Sequence, residues 1–161
     1  MRKLRKLLIR DVYDTDVEPP VVISQEVEFV KVIKLFAVSS ELRSIFVTDH
    51  EGKFAGVITR SNLLDWMRAQ VGDYFEEGGQ SPDKTISLSN IIQATTVGEM
   101  LFPGSEMAAV RLENTANDAM RKMVELDTIV LSVIDAANQI IGEIKLSEIL
   151  DASLEDNCCI Q

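Results

Sequence analysis

Phe46-Val47-Thr48-Asp49-His50-Glu51-Gly52-Lys53-Phe54-Ala55-Gly56-Val57-Ile58 reads as a strand, a tight turn and a second strand. Apolar runs rich in β-branched residues flank an Asp and Gly turn, the pattern of a hairpin. It returns at an offset of 86 as Ser132-Val133-Ile134-Asp135-Ala136-Ala137-Asn138-Gln139-Ile140-Ile141-Gly142-Glu143-Ile144. Asp49 aligns with Asp135, Gly52 with Asn138 and Gly56 with Gly142. Gly and Asn share the turn position because both tolerate the left-handed backbone expected there. An internal repeat of this kind decides the architecture before any finer reading.

The repeat extends outward from the hairpins. Upstream, Phe29, Val32, Ile33 and Phe36 recur at i, i+3, i+4 and i+7, one face of a helix. Ala116, Ala119, Met120 and Met123 do the same at an offset of 87, so one residue is lost between helix and strand in the second copy. Thr115 and Asp118 have the spacing of a capping box at the start of that helix. A short strand precedes each helix, Val21-Val22-Ile23 and Ala109-Val110-Arg111-Leu112, and an amphipathic helix follows each hairpin, through Leu63, Leu64 and Met67 or Ile149 and Leu150. Each copy therefore reads β-α-β-β-α. The expected fold class is mixed α/β (α+β): two such repeats packed through their sheets as a pseudo-twofold pair, burying Val47, Ile58, Val133 and Ile144. The expected divisions are 1–71 for the first repeat with its N-terminal lead-in, 72–95 for a linker, 96–154 for the second repeat and 155–161 for a flexible tail. Thr96-Val97-Gly98-Glu99 has capping-box spacing and opens the second lead-in.

Composition narrows the function classes. The chain of 161 residues is 46% hydrophobic and 26% charged, enough to bury a core without a disulfide or metal staple. Its formal charge is −10, and five of the 16 basic residues fall within the first ten positions. So acidic a remainder argues against nucleic acid, whose binding rests on Lys and Arg neutralising phosphates. Apolar runs are too short to span a bilayer. Only Leu7-Leu8-Ile9 follows the basic start before Arg10, too little for a signal peptide, so a cytoplasmic location is expected.

Cys158 and Cys159 are adjacent and close no useful loop, and His50 is the sole histidine. These residues make neither a usual zinc-ligand set nor a Cys–His nucleophile pair. Cys158-Cys159-Ile160-Gln161 matches a prenylation box, but Glu148, Asp151, Glu155 and Asp156 precede it where a membrane anchor would want basic residues. The match reads as fortuitous, and no membrane association is expected.

With its hairpins and helices, the chain resembles a tandem pair of CBS domains, the cystathionine-β-synthase-type regulatory pair also called a Bateman module. The first copy carries the likeness in Phe46 to Ile58 and onward through Thr59-Arg60-Ser61-Asn62-Leu63-Leu64, and the second keeps the Asp135 turn, Gly142 and the following helix. The resemblance implies binding of an adenosine-containing ligand, AMP, ADP, ATP or S-adenosylmethionine, with no required cofactor. It implies that a hydroxyl residue after the motif glycine meets phosphate, and that an acidic residue three further on meets the ribose diol. The matching residues are Thr59 and Asn62, where Asn stands for the usual Asp and forgoes a charge-assisted bond. Arg60 adds a positive charge if it turns inward, and the likeness implies adenine contacts near Ile23 and Ser24. In the second copy Lys145 and Glu148 occupy the positions of Thr59 and Asn62. Three residues apart, they can pair with each other, so a weaker second site is expected there.

The expected function is a standalone, non-catalytic module that binds an adenine nucleotide and modulates an unknown protein partner in trans. A homodimer is expected from the same resemblance, with contacts around Leu63, Trp66, Met67 and Ile149. The alternative is a structural module that dimerises or docks without a ligand. An enzyme has little support, since the sequence holds no Gly-rich phosphate loop and no metal cluster.

Overall fold

The computed structural model describes residues 6–13, 19–76 and 95–155. The Cys158-Cys159-Ile160-Gln161 tail and the linker stretch 77–94 lie outside the described residues. In order, the elements are α1 (Ile9–Val12), β1 (Val22–Ser24), α2 (Phe29–Val38), β2 (Ser44–Thr48), β3 (Phe54–Thr59) and α3 (Arg60–Glu76), then β4 (Ala109–Val110), α4 (Ala116–Glu125), β5 (Val130–Ile134), β6 (Ile140–Lys145) and α5 (Leu146–Glu155). Two three-stranded sheets result, ordered β1-β2-β3 and β4-β5-β6. Each has a parallel first pair and an antiparallel hairpin, and each hairpin shifts register at the same place, after Val47 and after Val133. Gly52 and Asn138 sit at φ +77° and +63°, the left-handed turn read from the sequence. Helix α3 runs through Gly72 to Glu76, into the stretch of linker composition. One glycine in a helix costs only about 1 kcal/mol, which neighbouring turns can offset.

Burial follows the strand alternation. Ile45, Val47 and Ile58 pack with Phe29, Val32 and Phe36 of α2. Phe46 and Val57 point the other way and join the cluster of the second repeat, with Val110, Leu131, Val133, Ile144 and Ile149. Phe46 is wholly buried, and a side chain of that size contributes about 1.5–3 kcal/mol by leaving water. The hairpins are also tied directly, since the Phe54 N–H donates to the Asn138 carbonyl at 2.8 Å. Trp66 corrects one expectation. It is 8% exposed and meets Phe29 edge to face at 4.9 Å, so it belongs to the first core and not to an outer contact surface.

The lead-ins are exchanged. Residues ahead of the first repeat dock on the second: Leu8 bridges Thr115, the Ile9 N–H donates to Asn114, and Ile9 is wholly buried in the second cluster. Residues ahead of the second repeat dock on the first. Thr96 bridges Glu28, and Val97 and Met100 enter the first core. Glu99 accepts from the Thr96 N–H at 2.7 Å, as the capping-box spacing predicts, over a single 3-10 turn, Gly98–Met100. Each lead-in crosses the other repeat at its motif glycine. A Cβ on Gly56 would lie 2.6 Å from Ser105 Oγ, and one on Gly142 would lie 2.5 Å from Tyr13 Cε2.

Candidate functional site

Packing the repeats creates two clefts related by the offset of 86. Thr59, Asn62 and Val57 line one, against Phe102, Pro103, Ser105 and Ala108 of the second lead-in and Leu126, Asp127 and Thr128 after α4. Glu143, Lys145, Leu146 and Ser147 line the other, against Pro19, Pro20 and Val21 and the α2–β2 loop with Glu41 and Arg43. Each cleft thus pairs the helix start after one hairpin with the residues that approach the other repeat's first strand. The volumes differ widely, about 90 Å³ at Thr59 and about 660 Å³ at Lys145. Ligand pockets run from about 300 to 1,000 Å³, so only the second is of nucleotide size. That order is the reverse of the one expected from the motif residues.

At the small cleft the motif residues bind each other. Asn62 Oδ1 accepts from the Thr59 N–H at 2.8 Å and from Thr59 Oγ1 at 3.0 Å, and Thr59 Oγ1 accepts from the Asn62 N–H at 3.3 Å. The arrangement is a capping box with Asn in the third position of the helix. It uses the side-chain carbonyl, the only acceptor Asn62 could offer a ribose hydroxyl, and leaves the amide hydrogens. Asp127, with φ +49°, adds a carboxylate, a poor neighbour for phosphate.

Arg60 does not join them. Its guanidinium donates to the carbonyls of Phe36 at 2.9 Å, Ser39 at 2.5 Å and Leu42 at 3.0 Å, with its carbon 5.1 Å from the centre of the Phe36 ring. These carbonyls end α2 and begin the loop to β2, where orphan acceptors and the helix dipole draw a cation. Ile23 and Ser24 are also apart from both clefts: Ile23 packs on the first core, and Ser24 Oγ accepts from the Glu26 N–H.

At the large cleft Glu148 Oε2 accepts from the Lys145 N–H at 2.8 Å, the role that Asn62 plays in the first copy. Lys145 Nζ lies 3.1 Å from Glu143 and 3.9 Å from Glu148, so its closer partner is Glu143, which sequence spacing did not single out. The Leu146 N–H donates to the Ile129 carbonyl. The N–H groups of Lys145 and Leu146 are therefore engaged. Arg43, exposed at the mouth, is the second cation of the lining. It has no local motif, and nothing in the sequence marks it. Glu143 was visible as a carboxylate at the position of Val57, but only its tertiary neighbours give that difference meaning.

Residues 9–69 match the family model of the CBS domain. Over those residues the chain reads as a CBS domain. The second unit repeats the fold of the first, and the whole has the fold of a CBS-domain pair. A CBS-domain-containing protein of Kribbella flavida superposes with a TM-score of 0.65 at 18% identity, covering 92% of this chain and 99% of that one. One of Thermotoga maritima gives 0.69 at 17% identity, covering 92% and 95%. CBSX2, solved in complex with AMP, gives 0.63 at 22% identity, covering 94% and 98%. No curated protein matches the sequence. No catalytic family is indicated by these matches. Among the described residues, no helix is long and apolar enough to cross a membrane, and no group of three or more His, Cys, Asp or Glu residues could hold a metal ion.

Proposed function

We propose that this CBS pair is a regulatory module that binds an adenosine-containing ligand of the AMP, ADP, ATP or S-adenosylmethionine class in the large cleft and modulates a partner protein in trans. The observation that carries the reading is the cleft of about 660 Å³ between the repeats, lined by Lys145, Leu146 and Ser147 on one side and Arg43 on the other. The AMP complex of CBSX2, a chain of the same fold, supports the ligand class. Pro19, Pro20 and Val21 belong to the first repeat and Lys145 to the second, so a ligand between them would bear on how the repeats sit together. Such a ligand acts only by binding two states unequally. We place the module in the cytoplasm, with Thr59 and Asn62 at a secondary site.

A thermal-shift series with AMP, ADP, ATP and S-adenosylmethionine tests this, because a ligand specific to the folded state raises the melting temperature. At least one should do so, and Arg43→Ala with Lys145→Ala should remove the shift. No shift with any of them would overturn the reading.

A second reading, dimerisation or docking without a ligand, is favoured by Leu64 and Met67 on α3 and Leu150 and Leu154 on α5. They are exposed by 53%, 40%, 42% and 64%. Apolar side chains grouped like this mark a surface that a partner covers. We propose a homodimer through these faces. A single-chain mass by light scattering at micromolar concentration would refute it.

A further inference from the structure

We propose that Glu143 makes the large cleft select a nucleoside monophosphate over the di- and triphosphate, an inference that rests on the reading of that cleft as an adenosine-ligand site. Glu143 stands in β6 where the first repeat has Val57, an apolar and nearly buried residue. Its side chain is 16% exposed, at the lip of the cleft, 3.1 Å from Lys145 Nζ.

Among the described residues, the cations of the lining are Arg43 and Lys145, and its carboxylates are Glu41 and Glu143. Those four side chains are neutral in sum, within a chain of formal charge −10. At the start of α5, Glu148 and the Ile129 carbonyl hold the N–H groups of Lys145 and Leu146, so neither of these is open to an anion. A phosphate group reaching Lys145 therefore arrives beside the Glu143 carboxylate. One phosphate can be shared between Arg43 and Lys145. Each further phosphate adds negative charge with no further cation among the described residues of the lining, close to a carboxylate largely shielded from water. A pair of like charges a few ångströms apart in such surroundings changes binding by about tenfold or more. At the small cleft the equivalent position is Val57, and this discrimination has no counterpart.

Calorimetry of the full chain with AMP and with ATP, in magnesium-free buffer, tests the proposal. The unaltered protein should bind AMP at least about tenfold more tightly than ATP, and Glu143→Gln should narrow that ratio mainly by strengthening ATP binding. Gln keeps the size of the side chain, and circular dichroism verifies that the variant folds. Equal or tighter binding of ATP by the unaltered protein would overturn the selectivity while leaving the ligand class intact, a result that needs no variant. An AMP preference unchanged in Glu143→Gln would overturn the role of Glu143. Binding of neither nucleotide would overturn the selectivity, and the thermal-shift series then decides the ligand class.

Discussion

Tyr13 packs its hydroxyl end against Gly142, with the hydroxyl donating to the Ile141 carbonyl at 2.7 Å. The contact joins a lead-in of the first repeat to the second hairpin, 128 residues away in sequence. Glycine is needed here for close approach, since a Cβ would lie 2.5 Å from the ring. Gly142→Ala should destabilise the chain by about 1–3 kcal/mol, because the ring or the strand must move. Tyr13→Phe keeps the packing and loses one hydrogen bond, so about 1 kcal/mol is expected. Urea denaturation of both variants checks the order.

Arg60 should prove structural. Removing its guanidinium strips the end of α2 of donors to three carbonyls. Arg60→Ala should cost about 2 kcal/mol, in the range of bonds made by charged groups. Nucleotide affinity at the large cleft should also fall, because Ser39 and Leu42, whose carbonyls Arg60 holds, line that cleft beside Arg43. Denaturation and calorimetry on the same preparation separate the two effects.

Asp118 should give the chain part of its acid sensitivity. Hydrogen bonds from the Thr115 hydroxyl and N–H hold its carboxyl below the ordinary 3.8. A depressed value means that the stabilisation is fully present above the unfolded pKa and is lost as pH falls through the lower folded one. Asp118→Asn retains the capping geometry, as Asn62 does beside Thr59, and removes the charge. Stability between about pH 5 and pH 2 should fall less steeply in this variant. Melting temperatures across that range provide the measurement.

Ser132 is wholly buried in β5, and its hydroxyl has no hydrogen-bond partner among the described residues. A buried hydroxyl without a partner costs about 1–3 kcal/mol. Ser132→Ala should therefore leave stability unchanged or raise it by about 1 kcal/mol, as read from the urea midpoint. The residue at the equivalent position is Phe46, which fills the interface between the repeats.

Much of the fold was legible because its signals are local. The turn at Gly52 and Asn138, the helical faces of Phe29 to Phe36 and Ala116 to Met123, and the burial of Val47, Ile58, Val133 and Ile144 each follow from periodicity or backbone tolerance within a few residues. The site was legible only in part. Thr59, Asn62 and Lys145 do line clefts, whereas Ile23, Ser24 and Arg60 do not. Arg60 went unread because three carbonyls that come together only where α2 ends draw it away from the cleft.

By itself, the sequence determined two β-α-β-β-α units and the turns that close them, since strand alternation, helical spacing and turn chemistry act between near neighbours. Tertiary structure decided which lead-in docks on which repeat, that Glu143 holds Lys145, and that Arg43 and Lys145 line one wide cleft while Asp127 and Ser105 line a narrow one with Thr59. Those relations join residues tens of positions apart, and the docking of one sheet on the other brings them within reach.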